Sequence, residues 1–325
     1  MVLYPLKFYT IFKDKIWGGD KIKTVLKKDF SPLPNCGETW EISGVKGNVS
    51  VVKEGSLKGK SLIEIIDQFE AGLLGNKVFE KFGTEFPLLI KFIDAKEDLS
   101  IQVHPNDLLA KNRHNGFGKT EMWYIFQADK GASLISGFNQ KIDKEIYLEK
   151  FNSGKLSDVL SRESAEAGDV FFIPAGRVHT IGAGILLAEI QQTSDITYRI
   201  YDFDRKDDNG NLRELHTQEA IDAINYEYLD TYKTKYNTVK NTSNQLLNCA
   251  YFQTNKYVID VPLYKEYAHL DSFKIFICYK GKSIIEGIGF SIEMNLGDVI
   301  LIPANIQKLT IVPKEDTEFL ETYIA

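Results

Sequence analysis

The stretch GDVFFIPAGRVHTI, Gly168 to Ile181, decides how this chain is read. A Gly-Asp turn opens an apolar run, Pro174 ends it, and a second short run carries His179. This is the pattern of β-strands separated by tight turns. Near the C-terminus GDVILIPANIQKLTI, from Gly297, repeats the turn, the four-residue apolar strand and the proline at the same offset. Two related β units are therefore expected. The second copy has Asn305 in place of Gly176 and Lys308 in place of His179, so it is not expected to coordinate what the first unit coordinates.

Outward from these two segments, short runs rich in Val, Ile, Phe and Tyr recur between turn signals: 49–52, 87–95, 121–128, 169–175, 184–192 and 257–262. Such spacing predicts a sandwich or barrel. Helical periodicity is confined to a few places, chiefly 61–75, 144–160 and 217–225. The fold class expected is mainly β, with a few helices set around it. Between 226 and 248 the sequence turns polar and aperiodic, which marks a linker. The chain is accordingly divided into 1–240 and a smaller unit, 241–325.

Composition bounds the possible partners. With 325 residues, 43% of them apolar, the chain can bury a large core. A net charge of −6 offers no broad footing for nucleic acid, so an anionic ligand requires a local basic pocket. No run of about eighteen apolar residues predicts a membrane span, and no cleavable leader is recognised at the start. The three cysteines, Cys36, Cys249 and Cys278, lack metal-site spacing and are odd in number, so they read as core thiols in a reducing, cytoplasmic setting.

A second segment raises the chemistry. In LSIQVHPND, 99–107, read as a strand, Ile101 and Val103 point one way while Ser100, Gln102 and His104 share the other face. Side chains two apart on a strand stand about 6.6 to 6.8 Å apart at Cα, so their tips can converge on one ion. Lys91 interrupts the apolar run PLLIKFIDA. A lysine there must reach solvent, a carboxylate or a bound anion.

The pattern Gly168, Pro174, Gly176, His179 resembles the second conserved motif of cupin jelly rolls, and the fold expected is two cupin-like jelly-roll units with inserted helices. Cupin metal ligands come from one strand bearing two, from a downstream carboxylate and from a distant histidine. On that resemblance Gln102, His104, Glu121 and His179 fill the four places. An iron-dependent cupin dioxygenase would prefer histidines where Gln102 stands, and is disfavoured.

More narrowly, the chain resembles the type I mannose-6-phosphate isomerase family in its short bacterial form. The residues that carry the likeness are WGG at 17–19, CGETWEISG at 36–44, FPLLIKFIDAKEDLSIQVHPND at 86–107, GKTEMWYIF at 118–126 and IPAGRVHTIGAGILLAEIQQTSDITYRIYDFDR at 173–205. The resemblance implies an enzyme with one zinc per chain that interconverts mannose 6-phosphate and fructose 6-phosphate through a cis-enediol. It assigns Lys91, Ser100 and Lys119 to phosphate recognition and Arg199 to the active site. Glu189 and Asp195 become candidates for proton transfer or for positioning Arg199. Longer members carry a histidine where this chain has Gly118, so no mechanism requiring that histidine is expected. Trp17 and Trp40 read as core packing. The alternative is a non-catalytic, metal-binding cupin that senses sugar phosphates, and the oligomeric state is not legible.

Overall fold

The computed structural model describes residues 2–206 and 210–324. Its strands form four sheets, paired into two sandwiches. The first sandwich sets Ile11–Lys13, Glu38–Ile42, Leu88–Ala95, Ile185–Gln192, Glu121–Ala128 and Val170–Ile173 against the five strands Tyr198–Tyr201, Ile101–Val103, His179–Thr180, Ser133–Phe138 and Leu160–Ser164. In the second, the five strands from Asn244–Asn248 to Thr317–Tyr323 face a four-stranded sheet. Leu6–Lys7 joins this unit, pairing with Val299–Ile302 across the chain.

The expected repeat is present in the backbone. Gly168 and Gly297 both have positive φ, 93° and 84°. The Asp169 carboxylate accepts from Glu166 N, and Asp298 from Asn295 N, each at 2.9 Å. Both glycine N–H groups donate 2.8 Å bonds to the neighbouring strand, at Ile125 O and Cys278 O. Only glycine adopts this conformation without steric cost, which is why the two turns read alike in sequence.

Strand alternation explains the apolar runs. Leu88, Ile90 and Phe92, with Leu186, Ala188 and Ile190, share a cluster with Ile275, Ile277, Leu301 and Leu320 of the second sandwich. The opposite face of the same two strands contributes Ile93, Ile185 and Leu187 to the interior of the first sandwich. With both faces buried these strands read as continuous hydrophobic segments, and Lys91 and Glu189 occupy inward positions. Ile101 and Val103 point outward, under Tyr147, Leu156 and Ala220 of the surrounding helical segments. This leaves Gln102 facing in.

Several boundaries differ from expectation. The helix expected over 61–75 is two, Leu62–Phe69 and Ala71–Leu74, divided at Glu70 with φ 46°. Lys144–Asn152 stops short of 160, giving way to a 3-10 turn and a strand. Residues 49–52 make only isolated bridges, and helix Asp107–His114 follows the ligand strand unannounced. The segment expected to be a linker is pinned to the first sandwich by side chains up to Tyr236, since Tyr232 OH donates to Phe138 O at 2.9 Å and Tyr236 OH to Gly168 O at 2.6 Å, and its end, Asn244–Asn248, is a strand of the second sandwich.

Lys308 does not take the inward place that His179 holds in the first unit. Leu309 and Ile311 fill that interior, so alternation sends Lys308 outward, where it pairs with Glu266 at 3.0 Å. The three cysteines are free, with Cys36 and Cys278 buried. No helix among the described residues is long and apolar enough to cross a membrane.

Candidate active site

Two rows of side chains face each other inside the first sandwich. On the longer sheet, register aligns Trp40, Lys91, Glu189 and Trp123. Opposite, it aligns Arg199, Gln102, His179 and Ser136. Residues distant in sequence are thus brought together by pairing alone.

At one end His104, Glu121 and His179 are buried, with one ligand atom from each within 4.8 Å of the others. His104 Nδ1 donates to Ile196 O at 2.9 Å and His179 Nδ1 to Arg177 O at 2.8 Å. Those carbonyls can only accept, so both rings turn a lone pair on Nε2 toward the interior. Burial, assisted by Lys119, lowers the His104 pKa to about 3, and burial lowers that of His179 as well. Both rings are therefore neutral, as ligands must be.

Glu121 supplies the charge. Lys119 Nζ stands 2.6 Å from Oε1 and His104 Nε2 3.3 Å, yet neither carboxylate oxygen makes a hydrogen bond. Burial would raise this carboxyl, yet the Lys119 ammonium beside it holds it well below the usual range. A fully buried anion with unused lone pairs beside two inward imidazoles fits a cation. The Gln102 amide nitrogen lies 3.2 Å from His179 Nε2, so the fourth expected residue adjoins the group.

Beside it opens a cavity of about 370 Å³, lined by Lys91, Ser100, Gln102, Lys119, Glu189, Asp195 and Arg199 among others. Sequence reading missed Lys15, Glu38 and Arg213, which line this cavity; Trp17 and Trp40 are buried, as expected, and also form part of its wall. Five cationic side chains stand against three carboxylates there, the local basic pocket that an acidic chain needs for an anionic ligand.

Lys91 is tied inward, 3.2 Å from Glu189 and 3.9 Å from Glu38, with its ammonium over the Trp40 ring. Burial disfavours that charge, but Glu189 and Glu38 outweigh it and raise the pKa. Burial, reinforced by Glu121, raises the Glu189 carboxyl. Glu38 goes the other way: burial is overcome by Lys91 and Lys15, which bring it to about 2. Trp123 Nε1 donates to Glu189 at 2.9 Å, fixing the carboxylate across the row. Asp195 is exposed at the cavity edge.

Arg199 donates to Glu214 O at 2.7 Å, and its buried Nε lacks a partner. Burial and neighbouring Arg213 both disfavour its charge. Arg213 in turn rests on Asp202 at 3.2 Å. Gly118 has no room for a side chain, since a Cβ there would lie 2.6 Å from Asp107 N.

Fold and site together define a cupin-type enzyme with a buried His/Glu/His group. The model of the phosphomannose isomerase type I catalytic domain matches residues 5–131. Mannose-6-phosphate isomerase ManA of Bacillus subtilis is 37% identical over 315 residues, 93% of this chain and 94% of that protein. The mannose-6-phosphate isomerase of Streptococcus mutans is 41% identical over 220 residues, 68% and 67% of the two chains. A crystal structure of the Bacillus subtilis mannose 6-phosphate isomerase matches with a TM-score of 0.88 at 32% identity, covering 98% of this chain and 99% of that one. The chain belongs to the type I phosphomannose isomerase family.

Proposed function

We propose that this chain is a zinc-dependent isomerase that interconverts mannose 6-phosphate and fructose 6-phosphate through a cis-enediol, with residues 1–240 carrying catalysis and 241–325 forming a cupin-like unit without metal. The observation that carries the reading is the convergence of a neutral-histidine and carboxylate group with a cation-rich cavity of 370 Å³. The names and coverage of its relatives point the same way. Three free thiols suit a reducing, cytoplasmic setting.

Gln102, His104, Glu121 and His179 would hold one zinc. One carboxylate against a divalent ion leaves the group at +1, and the ion would supply Lewis acidity or a template for sugar oxygens. Lys91, Ser100 and Lys119 recognise the phosphorylated substrate, joined by Arg213. Aldose to ketose conversion moves a proton between C2 and C1. Glu189 takes that proton in preference to exposed Asp195, because its raised pKa makes it the stronger base and Trp123 holds it in place. Arg199, aligned with Gln102, steadies negative charge as it develops on the enediol oxygens.

A coupled assay offering mannose 6-phosphate, glucose 6-phosphate and unphosphorylated mannose to one preparation tests this. Turnover of mannose 6-phosphate alone is expected. Equal turnover of mannose would remove the phosphate assignments, and no turnover by zinc-loaded protein would remove the reading.

A further inference from the structure

We propose that Asp107 is a positioning residue for this site, and that Tyr251 of the C-terminal unit holds it there; the inference rests on the function just described. Asp107 stands three residues beyond His104, at the start of helix Asp107–His114. An aspartate serving only its own helix would accept from that helix's N–H groups, but Asn106 already does so, from Leu109 N at 2.9 Å. Every partner of the Asp107 carboxylate named here lies outside the helix. Oδ1 accepts from Gly118 N at 2.9 Å and from Gln192 Nε2 at 3.0 Å, while Oδ2 accepts from Tyr251 OH at 2.8 Å.

These bonds converge on the segment carrying Lys119 and Glu121. Gln192 Oε1 accepts from Thr120 N at 2.9 Å, and Gln192 N donates to Thr120 O at 3.1 Å. Thr120 Oγ1 accepts from Ala175 N at 3.3 Å, and Gly176 N donates to His104 O at 2.9 Å. Asp107 therefore braces a network that touches the segments bearing all three of His104, Glu121 and His179. Gly118 packs against the Asp107 backbone too closely for a Cβ, so the two segments move together. Tyr251 transmits the C-terminal unit's support into it.

The experiment compares Asp107→Ala, Asp107→Asn, Tyr251→Phe and the double variant Asp107→Ala/Tyr251→Phe. It measures kcat and KM of zinc-loaded protein, and zinc affinity by chelator competition. Removing an outer support of a metal site predicts about a 10-fold loss or more in zinc affinity and in kcat for Asp107→Ala, with KM nearly unchanged. Asp107→Asn recovers most of this, because its amide oxygen still accepts from Gly118 and Gln192 and its N–H can donate to Tyr251 OH. Tyr251→Phe loses about 3-fold to 10-fold in the same two quantities, as expected for one hydrogen bond. The double variant is no worse than Asp107→Ala, because both act through one path. Native zinc affinity and kcat in Asp107→Ala, an Asn variant as damaged as Ala, or additive losses in the double variant would each overturn the proposal. Should Asp107→Ala fail to fold, native zinc affinity in Tyr251→Phe overturns it alone. Wild-type protein that binds zinc but lacks isomerase activity would refute the function while leaving the affinity comparison intact.

Discussion

The two sandwiches share the Gly-Asp turn and its hydrogen bonds, yet they treat buried polar groups in opposite ways. In the second, Glu321 accepts from Tyr257 at 2.9 Å, from Tyr267 and from Lys265 at 3.1 Å, and Lys274 donates to Pro303 O and Ile306 O. In the first, Glu121, Ser136, Gln191, Arg199 and Asp202 each leave a buried atom without a hydrogen bond. Among the described residues every such orphaned side-chain atom belongs to residues 41–226, and none to the C-terminal unit. Unused hydrogen-bonding capacity costs stability unless a ligand takes it up. The difference separates a unit built to bind from one built to be stable.

The largest effect expected is in the first unit. His179→Ala should weaken zinc affinity by more than about 100-fold, beyond the usual loss from removing an outer support, and abolish isomerisation. Full activity with one zinc retained would break the comparison. The counterpart is Glu321→Ala, which leaves Lys265 and two tyrosine hydroxyls without their acceptor. Removing one partner of such a buried pair costs about 3–5 kcal/mol, read by denaturant unfolding, while kcat of the folded fraction stays native. A large fall in kcat would place catalytic work in the second unit.

Arg199→Ala should lower kcat by about 10-fold to 100-fold with zinc retained, the range of a hydrogen bond to a charged group. An unchanged kcat would remove it from the reacting end.

Acid sensitivity should also divide the units. The folded pKa values of His104 and His179 are depressed, so the unfolded chain takes up protons first as pH falls below about 6.5. Stability of the metal-free protein is then full above 6.5 and declines toward His104's folded value of about 3. The slope is about 1.4 kcal/mol per pH unit for each proton of difference. Between pH 6.5 and 4.5, His104→Leu should make it shallower, leaving the share of His179, and an unchanged slope would contradict the burial of a neutral ring. Smallest of all is Lys308→Ala: its ammonium is on the surface with Glu266, so zinc stoichiometry and melting temperature should match wild type.

Much of this contrast was legible in the sequence. Strand alternation in LSIQVHPND placed Gln102 beside His104, and both lie where the site forms. Glu121–Ala128 begins at the residue expected to be a ligand. What escaped reading came from pairing between distant strands. Trp40 becomes a cavity wall because it lies opposite Lys91, and Glu38, two residues earlier on the same face, follows it. Their alternation in ETWEI was available as a signal, but nothing local says which face looks into a cavity. Lys308 shows the reverse error: counting from the Gly-Asp turn pairs it with His179, but the second copy carries one more residue before its closing Thr-Ile, so Leu309 and Ile311 take the inward places of His179 and Ile181 and Lys308 falls on the other face of the pleat.

Zinc titration of metal-free protein, with isomerase activity followed at each addition, tests the central claim most directly. The account predicts one tight equivalent per chain, activity rising to its plateau at that equivalent, and loss of both in His179→Ala. Two tight equivalents per chain, or an equivalent that survives His179→Ala, would contradict it.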